Sequence, residues 1–81
     1  MLNMKIQVYG KQNCPYCVKA KEWLEVRNLQ YSYTDVLKDI SIADLISIKE
    51  RYNMNTVPII IINDELIGGY TDLVKLDIPS Q

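Results

Sequence analysis

The chain has no histidine among its 81 residues. That absence removes Cys-His and Ser-His-Asp nucleophilic sites, and every histidine-containing zinc set that one chain could build. An excess of either charge is missing too: 9 Lys and Arg against 10 Asp and Glu leave a net charge of -1. Neither nucleic acid nor an anionic membrane surface is therefore an expected partner. Long hydrophobic runs are absent. The opening "MLNMKIQVYG" is too short and too interrupted for a signal peptide or a spanning helix, so the chain reads as cytoplasmic. Repeats, low-complexity segments and linkers are also lacking, and residues 1–81 read as a single domain. A domain this small is near the lower limit for folding unaided, but a hydrophobic fraction of 48% can fill one core.

Cysteine is scarce as well. The only two, Cys14 and Cys17, stand in "GKQNCPYCVKAKEWLE" with Pro15 and Tyr16 between them. In a reducing compartment a permanent staple is disfavoured, and a disulfide closing so short a loop removes little unfolded-state entropy.

The pattern around them gives the element order. Ile6 and Val8 alternate with Lys5 and Gln7, which predicts a strand over Met4 to Tyr9 ended by Gly10. From Pro15 the period changes to that of a helix, with Cys17, Ala20 and Leu24 on one face and Asn28 as a left-handed stop. Tyr31 and Tyr33 alternate in a second strand, parallel to the first because a helix-length crossover separates them. A second helix is predicted over Ser41 to Tyr52, opened by a capping box of Ser41 and Asp44 and repeating at Ile42, Leu45, Ile48 and Tyr52. Next come a four-isoleucine strand, Ile59 to Ile62, an Asn63-Asp64 turn and a short strand Glu65 to Ile67. A continuous apolar strand implies cover on both faces. A last short helix is predicted over Thr71 to Leu76, stopped by Pro79. The order β-α-β-α-β-β-α is that of an α/β sandwich.

Cysteine at a strand-to-helix junction lies beside unpaired N–H groups with partial positive charge, which stabilise the thiolate. Cys14 is expected at the N-cap as the exposed nucleophile, and Cys17 one turn inside as the resolving thiol. Lys11 adds positive charge on the approach loop. The residues leave three readings open: a redox pair, half of a metal centre shared between chains, or an incidental pair. The βαβ context favours the first, and two thiols without an imidazole weaken the second.

The run Lys11-x-x-Cys14-Pro15-Tyr16-Cys17, then Thr56-Val57-Pro58, then Gly68-Gly69-Tyr70-Thr71-Asp72, resembles a dithiol glutaredoxin from Met4 to Leu76. The resemblance implies a thioredoxin-like fold: a four-stranded mixed sheet with helices on both faces. It also implies a cis Pro58 presenting Val57 beside Cys14, where the residues alone favour an ordinary trans turn. Glutathione would be the co-substrate, with no tightly bound cofactor and no metal. Its γ-glutamyl end would meet Gly69, Thr71 and Asp72, and its glycine carboxylate Lys11 with Lys49 or Arg51. Thr56, Val57, Pro58 and Tyr16 would complete the site. Read without the family, the same Gly69 to Asp72 stretch is a glycine turn with an aspartate cap. Met54 and Asn55 before Thr56, and Ile59 after Pro58, depart from the family's usual pattern.

The implied function is a monomeric, glutathione-dependent thiol-disulfide oxidoreductase acting on protein disulfides or glutathione mixed disulfides. Ribonucleotide reductase is a common partner of the family that no residue here selects. Two alternatives stand beside it. One is a thioredoxin-like electron donor recharged by a reductase. The other is a dimer holding an iron-sulfur cluster with glutathione, against which Pro15 argues.

Overall fold

The computed structural model describes residues 4–78. Its elements run β1 (Ile6–Gly10), α1 (Pro15–Val26), β2 (Ser32–Asp35), α2 (Ile42–Tyr52), β3 (Ile59–Ile62), β4 (Glu65–Gly68) and α3 (Tyr70–Leu73). The four strands form one mixed sheet in the order β2-β1-β3-β4. β1 and β2 are parallel, as a helical crossover requires, and β3 lies antiparallel to both β1 and β4.

β1 begins at Ile6 rather than Met4 because Lys5 is engaged by the hairpin turn. Its N–H donates to the Asn63 side-chain oxygen at 2.9 Å, and its carbonyl accepts the Asn63 N–H at 2.9 Å. Asn63 and Asp64 take φ of 52° and 66°, the left-handed pair that a two-residue hairpin turn needs. α1 ends at Val26, and Asn28 just beyond it takes φ of 57°, which turns the chain so that the Leu29 N–H reaches the Leu24 carbonyl at 3.0 Å. Ser41 caps α2 by accepting the Asp44 N–H at 3.0 Å, as its sequence predicts.

The core lies mainly on one face of the sheet. Ile6 and Val8 of β1 and Ile60 and Ile62 of β3 pack with Ala20 and Leu24 of α1 and Leu73 of α3. Alternation sends Ile59 and Ile61 to the opposite face, where they are equally buried. The isoleucine strand is therefore covered on both sides, as its unbroken apolar run predicts.

Two expectations need correction. α3 covers only Tyr70–Leu73, not Thr71 to Leu76: Lys75 and Leu76 donate to the Asp72 and Leu73 carbonyls three residues back, which tightens the chain out of the helix. Pro79, the expected stop, lies outside the described residues. The other correction concerns Ile42. Of the α2 residues repeating at helical spacing, Leu45, Ile48 and Tyr52 are half-buried and form the inward face, whereas Ile42 is 78% exposed.

Candidate active site around Cys14

β1 delivers the chain to the site at Gly10, and the loop 11–14 turns it into α1 through Asn13 at φ 57°. Gly10 is required by close approach. A Cβ there would lie 2.8 Å from the Tyr33 ring and 3.0 Å from the Cys17 sulfur, so the missing side chain is the space in which Cys17 sits. Sequence reading sees Gly10 only as a strand end, since the crowding comes from Tyr33 on the neighbouring strand.

Cys14 is the N-cap of α1, with extended backbone (φ -118°, ψ 102°), and Pro15 starts the helix where its missing N–H costs nothing. The Cys17 N–H donates to the Cys14 sulfur at 3.2 Å. This is the capping bond that serine or aspartate makes elsewhere, here made to a sulfur, and it strengthens as that sulfur takes negative charge. The structure holds the pair as a Cys14–Cys17 disulfide with the Cα atoms 5.2 Å apart. Cys17 is 1% exposed. Cys14 is 7% exposed, far less open than the expected exposed nucleophile.

That turn is the second component. The Val57-Pro58 bond is cis, as the resemblance implies and against the trans expectation from the residues alone. The Val57 carbonyl oxygen lies 3.9 Å from the Cys14 sulfur. Backbone at this position can pair with an extended chain that brings its own sulfur to Cys14.

Two hollows open on either side of Thr56 and Val57. One, of about 450 Å³, is lined by Lys11, Cys14, Leu37, Leu45 and Lys49 among others, and by no carboxylate among the described residues. The other, of about 270 Å³, is lined by Tyr16, Pro58, Gly69, Tyr70 and Thr71 together with those two shared residues. Tyr16 is largely exposed and its ring stands 6.0 Å from that of Tyr70, so the pair forms the outer wall.

The sequence-derived residues divide accordingly. Lys11, Cys14, Tyr16, Thr56, Val57, Pro58, Gly69 and Thr71 line one or other hollow, and Lys49 rather than Arg51 reaches it. Arg51 lies instead over the Tyr52 ring. Asp72 lines neither hollow. Its carboxylate accepts the Gly69 N–H at 3.1 Å, which is the aspartate cap expected when the stretch is read without the family. Leu37, Leu45 and Asn55 line the first hollow without having been singled out as site residues. Asn55 stands at a departure from the family pattern, which is a signal of a kind; Leu37 carries none, being one apolar residue in a loop. Among the described residues no cluster of three or more metal-binding side chains occurs, and no helix is long and apolar enough to cross a membrane.

The glutaredoxin family profile matches residues 6–67. The chain belongs to the glutaredoxin family. Glutaredoxin 1 of Escherichia coli K12 is 34% identical over 74 residues, covering 85% of this chain and 87% of that protein. Glutaredoxin 3 of the same organism is 35% identical over 72 residues, covering 89% and 84%. The crystal structure of glutaredoxin 1 from Francisella tularensis, complexed with cacodylate, superposes with a TM-score of 0.75 at 34% identity, covering 90% of this chain and 91% of that one. As a glutaredoxin with a Cys-x-x-Cys pair, the protein is a glutathione-dependent thiol-disulfide oxidoreductase of thioredoxin-like fold. Glutathione is its co-substrate.

Proposed function

We propose that Cys14 is the nucleophile and Cys17 the resolving thiol in the reduction of disulfides in cytoplasmic proteins. One observation carries the assignment: Cys14 caps the helix, receives the Cys17 N–H at 3.2 Å, and is the cysteine of the pair that borders a hollow. The Cys14 thiolate attacks one sulfur of the substrate disulfide; that bond breaks, a Cys14–substrate disulfide forms, and the leaving thiolate takes a proton. Cys17 gives up its proton and attacks Cys14, releasing the second substrate thiol and leaving the Cys14–Cys17 disulfide. Two glutathiones then reduce this bond and depart as glutathione disulfide. The chemistry requires no resident metal or cofactor, and the working unit is a monomer.

Glutathione is placed across both hollows in this reading. Its sulfur meets Cys14, its peptide pairs with Val57, and its glycine carboxylate is drawn to Lys11 and Lys49. Its γ-glutamyl end takes the backbone at Gly69 and Thr71, with Asp72 beside its amine. Ribonucleotide reductase stands as a candidate partner on family grounds alone.

The test is turnover of a small disulfide with each of two electron sources. Glutathione with glutathione reductase is expected to sustain it. Sustained turnover with thioredoxin reductase, and none with glutathione, would replace this reading by that of a thioredoxin-like donor.

A further inference from the structure

α2 half-buries Leu45, Ile48 and Tyr52 and leaves two isoleucines exposed on the flank beside them. Ile42, Leu45, Ile46 and Lys49 recur at three and four residues and so share one side of the helix, and Ile42 and Ile46 are exposed. Leu37, in the loop after β2, is 70% exposed. This apolar surface is not isolated: Leu37, Leu45 and Lys49 also line the hollow that holds Cys14 and Val57. The hollow is therefore apolar toward α2 and basic at Lys11 and Lys49, with no acidic lining residue among the described residues. At about 450 Å³ it has the size of a ligand pocket, and helical spacing sets the exposed Ile42 and Ile46 beside Leu45, outside its lining.

We propose that Leu37 and the Ile42–Leu45 side of α2 form a specificity surface for protein substrates. The occupant is an extended segment whose target cysteine is neighboured by an apolar side chain, with a carboxylate within reach of Lys11 or Lys49. Two observations select it over other apolar partners. The surface is continuous with the nucleophile's own hollow, so whatever covers it must deliver a sulfur to Cys14. Among the described residues the charges lining that hollow, Lys11 and Lys49, are both positive, which favours an acidic segment over a basic one. The substrate segment pairs with the Val57 backbone while its apolar neighbour settles between Leu37 and Leu45. Selectivity then comes from side-chain burial, and the thiol exchange steps are unchanged.

The inference rests on Cys14 as nucleophile and glutathione as reductant, and the experiment separates the two claims. Two disulfide-bridged peptides are compared that share an aspartate two residues from the target cysteine and differ only beside that cysteine, Leu in one and Ser in the other. The mixed disulfide of glutathione and cysteamine serves as the third substrate. The wild-type protein is expected to reduce the Leu peptide with a kcat/KM about tenfold higher than the Ser peptide, chiefly through KM. In Leu37→Gln/Ile42→Gln the ratio is expected to fall to about one. Failure with glutathione–cysteamine in the wild type overturns the reading on which the inference rests. Turnover of that compound with no preference between peptides, or a preference unchanged in the folded double variant, overturns the specificity surface alone. Should the double variant not fold, the wild-type ratio and Leu37→Ser give the same readout. A concentration-dependent dimer in sedimentation that Ile42→Gln dissolves would make a second copy the occupant, and would also overturn the proposal.

Discussion

α1 and α2 are nearly equal in length, 12 and 11 residues, and both carry apolar residues at helical spacing. α1 nevertheless buries Cys17, Ala20 and Leu24 completely or nearly so, while α2 buries none of its residues. α1 lies in the main core, against β1, β3 and α3. On the far face only Ile59 and Ile61 of the isoleucine strand demand deep cover, and Gln7 and Tyr9 of β1 beside them do not. The contrast separates two tasks. A helix anchored by one deeply buried face fixes the geometry of a thiol pair, whereas a shallowly seated helix beside the same thiol leaves surface for whatever must dock.

The comparison breaks most visibly at the sulfur atoms. Cys14→Ser is expected to abolish reduction of both protein disulfides and glutathione mixed disulfides. Cys17→Ser is expected to accumulate a mixed disulfide on Cys14 with protein substrates, while deglutathionylation of small compounds continues because external glutathione resolves it. Mass spectrometry of the trapped species and steady-state rates check both outcomes. Identical behaviour of the two variants would mean that the helix start does not distinguish the sulfurs.

The packing contrast has a direct thermodynamic expression. Leu24→Ala removes a side chain with no exposed surface from the main core and is expected to cost about 2–5 kcal/mol. Ile42→Ala on α2 is expected to change stability by no more than about 0.5 kcal/mol. Urea unfolding of the two variants measures the difference. Similar losses would show that α2 is anchored as firmly as α1.

How far the sequence was legible follows the same division. Elements fixed by local chemistry could be read from it: the Ser41 cap, the Asn28 stop, the Asn63-Asp64 turn and the period of each helix. The parallel pairing of β1 with β2 followed from the crossover length and the β3-β4 hairpin from its turn, whereas the four-stranded mixed sheet was legible only through the family resemblance. Depth could not be read, because Ile42 and Leu24 are alike as residues and differ only in what the sheet sets opposite them. Gly10 was opaque for a similar reason, since Tyr33 and Cys17 crowd it from elsewhere in the chain. Pro58 was legible only through the family resemblance, its cis bond being invisible to composition or spacing. Asp72 carried two readings at once, and its observed cap to Gly69 realises the one that needs no ligand.

Asp72→Ala sharpens that ambiguity. Loss of the Gly69 cap is expected to cost about 1 kcal/mol of stability. If the carboxylate also meets the glutathione amine, glutathione use falls by about tenfold while disulfides lacking a γ-glutamyl group are spared. A thermal melt together with KM for glutathione distinguishes the two roles, because a pure cap moves the melt and leaves the substrate preference in place.

The smallest expected effect lies at the edge of the packed face. Tyr31 packs against the main core, and its hydroxyl donates to a Glu25 carboxylate oxygen at 2.5 Å. Burial first, then the bond and the charge of Glu25, push its pKa up from 10.0 to about 12. A phenol whose pKa is higher folded than unfolded holds its proton more tightly in the native state. Its contribution to stability is thus fully present below pH 10 and is lost as pH rises from there through about 12. Absorbance titration of tyrosinate is expected to show a late-titrating group that disappears in Tyr31→Phe. The same substitution should reduce the fall in stability across that window and leave stability near neutrality almost unchanged, since an exposed hydroxyl-to-carboxylate bond contributes little net. Tyrosines that all ionise together near pH 10 would mean that this edge of the packed face is as wet as the surface around α2, and the contrast between the two helices would then be confined to the interior of the sheet.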